Sequence, residues 1–292
     1  MVDKLRLYFQ MIFLIFTNIN IKGFIRGTIY KGKLKNICLP GLNCYSCPGA
    51  IGSCPIGSLQ GVIASRNYTI PFYVLGFLIF FGSIFGRFVC GWMCPFGWVQ
   101  DIIYKIPFIK KINNFGVDKH LRYLKYLILS IFVIILPLFV VDIVGQGRPW
   151  FCEYICPSGT LFAGIPLVFN NRELSDIIGF LYYWKLGVLI FLLWVSIIVY
   201  RPFCKYICPL GVIYGFFNRI SLFNLDVNKN KCIDCKKCEN ICAMRVEILK
   251  NINSVECIRC GKCKDVCPVS AINLTCGQKN ILIKNDELSR NV

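Results

Sequence analysis

Cys232-Ile-Asp-Cys235-Lys-Lys-Cys238-Glu-Asn-Ile-Cys242 and Cys257-Ile-Arg-Cys260-Gly-Lys-Cys263-Lys-Asp-Val-Cys267-Pro268 place eight of the chain's 19 cysteines within 36 residues. Two tandem runs of Cys-x2-Cys-x2-Cys-x3-Cys are the ligand pattern of a pair of 4Fe-4S clusters. The short spacers let three thiolates of a run reach three corners of one cubane, and the fourth crosses to the neighbouring cluster. Cluster one is thereby assigned Cys232, Cys235, Cys238 and Cys267, and cluster two Cys257, Cys260, Cys263 and Cys242. Zinc and disulfides are the competing uses of eight close thiols, but zinc rarely draws on four-cysteine runs of this kind. Cys242 is followed by Ala243 where Cys267 is followed by Pro268. That difference loosens a turn and removes no ligand.

Upstream of this segment the chain is apolar. Of 292 residues 56% are hydrophobic and only 16% are charged, the composition of a membrane protein. Four segments are predicted to span as helices, at 5–21, 70–88, 123–141 and 180–200. Asn18 and Asn20 shorten the first, and three glycines interrupt the second. Residues 2–21 have the basic start and apolar stretch of a signal sequence but no small-x-small cleavage site, so an uncleaved anchor is expected. The formal charge of +18 does not point to nucleic acid. Its cations lie in loops beside apolar spans, as Lys31, Lys33 and Lys35 or Lys110 and Lys111, where they set topology or meet anionic lipid. Thiolate-ligated clusters are expected in a reducing compartment, most naturally a prokaryotic cytoplasm.

The remaining cysteines form a repeated unit. Cys54-Pro-Ile-Gly57, Cys94-Pro-Phe-Gly97, Cys156-Pro-Ser-Gly159 and Cys208-Pro-Leu-Gly211 each follow one apolar span. Cys90, Cys152 and Cys204 stand four residues before the last three; the first copy has Cys44-x2-Cys47 instead. Proline suits the first position of a helix, so the preceding cysteine is expected at the N-cap, facing free N–H groups and the positive helix end. That setting is expected to lower the thiol pKa and favour the metal-binding thiolate. The bland reading is a good helix start with a buried cysteine, which four copies make uneconomical.

Cys90-Gly-Trp-Met-Cys94-Pro95, Cys204-Lys-Tyr-Ile-Cys208-Pro209 and the C-terminal double run resemble the NapH-type membrane ferredoxins, with NosR-like proteins as relatives. The resemblance covers nearly the whole chain. It implies four membrane helices with cytoplasmic termini and electron transfer linked to the quinone pool. Cys152, Cys156 and the Cys44/Cys47/Cys54 group go beyond the motif pair that marks the family. The expected architecture is an all-α membrane domain (1–225) with re-entrant Cys-Pro turns, an α+β two-cluster ferredoxin domain (226–275) and a tail (276–292).

With a cytoplasmic ferredoxin, turns two and four face inward and turns one and three outward. Loop 142–180, with two basic and four acidic residues, agrees; loop 22–69, with six basic residues and no acid, does not. Cys90, Cys94, Cys204 and Cys208 are then expected to close an inner cluster. Cys152 and Cys156 would join two of the first group, assigned as Cys47 and Cys54, in an outer one. A hydrocarbon core of ~30 Å is too wide for one efficient hop. Either re-entrant turns must draw the clusters inward, or a quinone must bridge them. Haem is not expected: His120 is the single histidine, and no Cys-x2-Cys-His occurs. Cys38 and Cys276 are left over as structural or free thiols. Arg87, Arg148 and Arg201 each precede a cysteine turn, where holding a cluster and snorkelling are equal explanations.

The function expected is one-electron transfer between a cytoplasmic donor or quinol and a partner redox protein, with membrane lipid as the surrounding medium. The chain carries neither a P-loop nor Gly-x-Gly-x-x-Gly. Two alternatives stand beside it: a trans-membrane thiol–disulfide relay through Cys44 and Cys47, and a maturation or regulatory ferredoxin.

Overall fold

The structure, a computed structural model, describes residues 2–65, 72–107, 111, 116–142 and 147–277. The fold is helical, and among the described residues one two-stranded sheet is added near the C-terminus. Among the described residues two helices are long and apolar enough to cross a membrane: Asp118–Phe139, with 22 residues, and Phe180–Ile198, with 19. At 1.5 Å per residue they reach about 33 and 28 Å. The other two expected spans form shorter helices, Val2–Thr17 and Phe72–Phe85, of 16 and 14 residues. Those reach about 24 and 21 Å, less than a ~30 Å hydrocarbon core. The first residues of the expected 70–88 span lie outside the described ones.

Polar caps explain why these helices stop early. Thr17 turns its hydroxyl back onto the Phe13 carbonyl at 2.8 Å, and Asn18 caps Leu14 at 3.0 Å. Gly86 ends Phe72–Phe85 in the left-handed region (φ +53), and a Cβ there would lie 2.6 Å from Asn218 Oδ1. Glycine is the residue that fits both demands. The chain then enters the Arg87–Cys94 turn directly.

Helix Val2–Thr17 carries three buried polar side chains, Arg6, Gln10 and Thr17. Arg6 pairs with Asp101 at 3.1 Å and Gln10 donates to the Gly91 carbonyl at 2.9 Å. At its start the Val2 amide meets Asp265 at 2.9 Å and Asp3 pairs with Lys262 at 2.8 Å. At its end Ile51 N–H reaches the Thr17 carbonyl at 3.1 Å. One helix therefore runs from the C-terminal cysteine segment to the loop that precedes Cys54.

The strands Phe223–Val227 and Ile272–Cys276 pair antiparallel, with Phe223 opposite Cys276 and Val227 opposite Ile272. They bracket all eight cysteines of the double run, starting three residues before the expected boundary at 226 and ending one residue beyond 275.

Candidate metal centres

Cys232, Cys235, Cys238 and Cys267 line one small apolar cavity, and Cys242, Cys257, Cys260 and Cys263 line a second. The fourth cysteine of each run crosses to the other run's cavity. The backbone turns that wrap the two cavities repeat at a 25-residue offset. Asp234 and Arg259, Lys236 and Gly261, and Arg245 and Ser270 all have positive φ, between +48 and +81. Left-handed residues are costly outside glycine and persist where the surroundings over-determine them; such turns aim N–H groups at one centre. Two backbone donors show this directly: Val246 N–H to Cys242 Sγ at 3.5 Å and Ala271 N–H to Cys267 Sγ at 3.2 Å.

The two halves differ in surroundings. Cys235, Lys229, Lys231, Lys236 and Lys237 are exposed, whereas Ile258 and Arg259 are buried against the helices. Arg259 donates to the carbonyls of Phe85 (3.0 Å) and Asn218 (2.6 Å). Trp92 Nε1 donates to the Arg259 carbonyl at 3.1 Å, and a Cβ on Gly91 would lie 2.3 Å from the Ile258 carbonyl oxygen. The loop of the second cavity thus packs directly on the turn that holds Cys90.

Cys90, Cys94, Cys204 and Cys208 are all buried and lie within one another's electrostatic reach. Cys94 and Cys208 are N-caps of Pro95–Lys105 and Pro209–Phe217, with proline in the first turn. Two fully buried arginines cross between the turns. Arg87 donates to the Cys204 carbonyl at 2.9 Å, and Arg201 to the Cys90 carbonyl at 2.6 Å. Cβ atoms on Gly211 and Gly97 would lie 3.1 Å from Arg87 and 3.2 Å from Arg201. The glycine of each turn is therefore where the other turn's arginine passes. Arg87 also holds Val255 O (2.6 Å) and Glu256 (3.1 Å), while Arg201, at φ +46, is gripped by both oxygens of Asp101. Gln100 adds an N–H to Cys204 Sγ at 3.3 Å. Snorkelling is excluded for both arginines by their burial; Arg148 differs, half exposed and paired with Asp142 at 3.0 Å.

Cys44, Cys54, Cys152 and Cys156 line a cavity of about 530 Å³, together with Lys185. Lys185 donates to the Cys152 carbonyl at 3.2 Å. The glycines again face the opposite turn: a Cβ on Gly57 would lie 3.7 Å from Cys152 Sγ, and one on Gly159 3.6 Å from Cys44 Sγ. Cys152 lies on a π-helical turn, Phe151–Ile155, a geometry common at functional sites. Cys47, assigned to this set from the sequence, is not on the cavity wall. It is fully buried, with its thiol 3.4 Å from Asn18 Oδ1, and Cys44 stands in its place. The path of the 38–44 loop, fixed by long-range contacts, makes that choice. Cys38 also lies off the cavity wall, against the hydroxyls of Ser53 and Ser58, and Cys276 is exposed on its strand.

The expected lowering of the thiol pKa is overturned. Burial pushes Cys54 up to about 12 and Cys156 and Cys204 up to about 11, against the smaller downward pull of nearby N–H groups or, for Cys204, of Arg201. In the C-terminal domain burial likewise takes Cys257 and Cys263 to about 12. Removing water costs a thiolate more than a helix end returns, so a thiolate here requires a metal cation beside it. Asn43 fits such a centre: it is 1% exposed, and neither amide atom has a hydrogen-bond partner among the described residues. Also among those residues, no three His, Cys, Asp or Glu side chains gather round a single metal ion. The two C-terminal sets and the outer set each line a cavity, as a cubane's corner-by-corner ligation needs. A 4Fe-4S cluster held there supplies one-electron chemistry.

A family model described as a 4Fe-4S binding domain matches this chain three times, over residues 66–113, 125–172 and 181–228. A second 4Fe-4S binding domain matches residues 251–273. The three repeats contain the Cys90/Cys94, Cys152/Cys156 and Cys204/Cys208 turns. The chain is 33% identical to the uncharacterized protein MJ0750 of Methanocaldococcus jannaschii over 176 residues, 58% of this chain and 64% of that one. It is 26% identical over 220 residues to the putative electron transport protein YccM of Escherichia coli, covering 70% of this chain and 57% of YccM. With the ferredoxin-type protein NapH of Haemophilus influenzae it shares 27% over 184 residues, 62% of this chain and 56% of NapH. The chain thus spans a little over half the length of these curated relatives. No solved structure matches it.

Proposed function

We propose that the chain, which belongs to the NapH- and NosR-type family of 4Fe-4S membrane ferredoxins, carries electrons through four cysteine-ligated centres. Domain 226–275 holds two, and domain 1–225 an inner and an outer one. The observation that carries this reading is the docking of the Cys257–Cys263 loop on the Cys90 turn through Gly91, Trp92 and Arg259. Together with the exposure of Cys235 it supports one order. The Cys232/Cys235/Cys238/Cys267 set meets a soluble redox partner, the Cys242/Cys257/Cys260/Cys263 set faces inward, and the inner and outer membrane sets follow.

The residues have distinct tasks. Arg87 and Arg201 lock the two inner turns together and bring positive charge beside four thiolates. Asp101 and Glu256 hold those arginines in place. The apolar wall of the outer cavity and Lys185 suit a quinone head group as terminal partner. The likeness to the putative electron transport protein YccM and the ferredoxin-type protein NapH agrees with this class of work. A multi-pass chain in a prokaryotic inner membrane, with domain 226–275 in the cytoplasm, is the matching location. A thiol–disulfide relay is less favoured, because Cys47 is fully buried and does not line the cavity that holds Cys152 and Cys156.

The test uses the full chain in proteoliposomes with an impermeant electron acceptor trapped inside and a reductant outside. The proposal expects the trapped acceptor to be reduced, and Cys94→Ser to abolish this. Reduction at the same rate in protein-free vesicles, or full activity in Cys94→Ser, would contradict it.

A further inference from the structure

We infer that Leu42, Asn43 and Cys44 form a strap shared by the two membrane sets, holding them at one fixed, short separation. This rests on the four-centre reading above. The strap's contacts run in order. Leu42 N–H donates to the Sγ of Cys94, in the inner set. The Leu42 carbonyl accepts a 3.2 Å hydrogen bond from Ser158 Oγ, two residues beyond Cys156 of the outer set. Cys44, two residues further on, stands on the outer cavity wall, which Leu42 itself also lines. Two residue steps cover at most roughly 7 Å of extended chain. The outer ligand Cys44 is therefore tied to the inner ligand Cys94 over a small part of a ~30 Å core.

The strap cannot drift. Pro40 O accepts from the buried Tyr214 hydroxyl at 3.1 Å. Cys38 N–H reaches Tyr73 at 3.2 Å. A Cβ on Gly41 would lie 2.8 Å from the Met93 carbonyl oxygen, so only glycine lets the strap lie this close to the inner turn. The Tyr214 hydroxyl lies within electrostatic reach of Cys90 and Cys94 of the inner set and of Cys54 of the outer one.

Asn43 is the second, independent observation. Buried amides are almost always paired, yet this one, between Leu42 and Cys44, has no partner among the described residues. Its N–H groups are available to a cluster sulfur. Donors to cluster sulfur raise the reduction potential, because they stabilise the more negative, reduced state. The strap thus serves a one-electron exchange, one centre oxidised as the other is reduced, with no bond made or broken. No bridging quinone is required between the two sets.

The experiment is EPR with potentiometric titration on anaerobically purified full chain, with iron counted on the same sample. In the unaltered protein, reduced with dithionite, the strap predicts inner and outer signals split or broadened by mutual spin coupling. Asn43→Leu should keep the iron content and the coupling, and shift one membrane midpoint potential to more negative values. Iron near sixteen with uncoupled signals, or unchanged potentials in Asn43→Leu, would overturn the strap alone. Iron near eight, at four per cubane, would remove the reading on which it rests. The unaltered protein's coupling needs no variant, so a misfolded Asn43→Leu leaves the inference open to refutation.

Discussion

Arg87 donates its Nη2 hydrogen to the carbonyl of Cys204, 117 residues away, at 2.9 Å, and at the same time grips Glu256 at 3.1 Å. The same cation therefore joins the inner pair of turns and the segment just before Cys257. Arg87→Met leaves Glu256 buried beside Lys125 only, and removal of one partner from a buried ion pair costs on the order of 3 kcal/mol. We expect a lower denaturation midpoint together with loss of the inner cluster signal. Arg87→Lys should fare little better, since one ammonium cannot replace a forked donor serving Val255, Glu256 and Cys204. A Lys variant with unaltered EPR would disprove this role.

Gly91→Ala tests the docking of the C-terminal domain. Its Cβ would meet the Ile258 carbonyl oxygen at 2.3 Å, a backbone clash no rotamer relieves. Forced overpacking costs about 1–3 kcal/mol. In rapid-freeze EPR the inner set should fill more slowly after the ferredoxin sets are reduced. Gly61→Ala, with nothing within 4 Å, serves as the neutral control.

Cys44 and Cys47 should separate cleanly. Cys44→Ser is expected to lower iron by about four per chain and erase the outer signal. Cys47→Ser should leave both unchanged, because Cys47 lies off the outer cavity wall, its thiol against Asn18 and the backbone N–H groups of Gly49 and Ala50. The opposite pattern would return Cys47 to the outer set.

Acid stability follows from Asp101. Burial alone would raise its pKa, but Arg201 and Arg6 outweigh burial and hold it below the usual 3.8. A carboxylate with a lowered folded-state pKa contributes stability in full above its unfolded value, and loses it as pH falls through the folded one. Thermal stability should therefore be flat from neutrality to about pH 4.5 and fall below that. Asp101→Asn should be less stable at neutral pH and should flatten the acid limb; an equally steep limb would refute the assignment.

The sequence carried some of this architecture and hid the rest, for physical reasons. The double run was legible because ligand spacing along eleven residues is local, and so was the N-cap role of Cys54, Cys94, Cys156 and Cys208. The substitution of Cys44 for Cys47 was not legible, because it depends on Leu42, Tyr214 and Met93 meeting across the fold. The crossed arginines left a trace: Arg87 and Arg201 both stand three residues before the first cysteine of an inner turn, a spacing absent from the outer turns. That identity of offset was the available signal, and burial was needed to separate it from snorkelling. Helix length was less legible: Thr17 and Asn18 close the first segment, and Gly86 the second, before the predicted ends at 21 and 88.

The most direct test of the central claim is iron and acid-labile sulfide per chain, measured on anaerobically purified protein with EPR on the same sample. Four cysteine-ligated centres predict about sixteen irons, at four per cubane. About eight irons, with signals from the C-terminal domain alone, would contradict it.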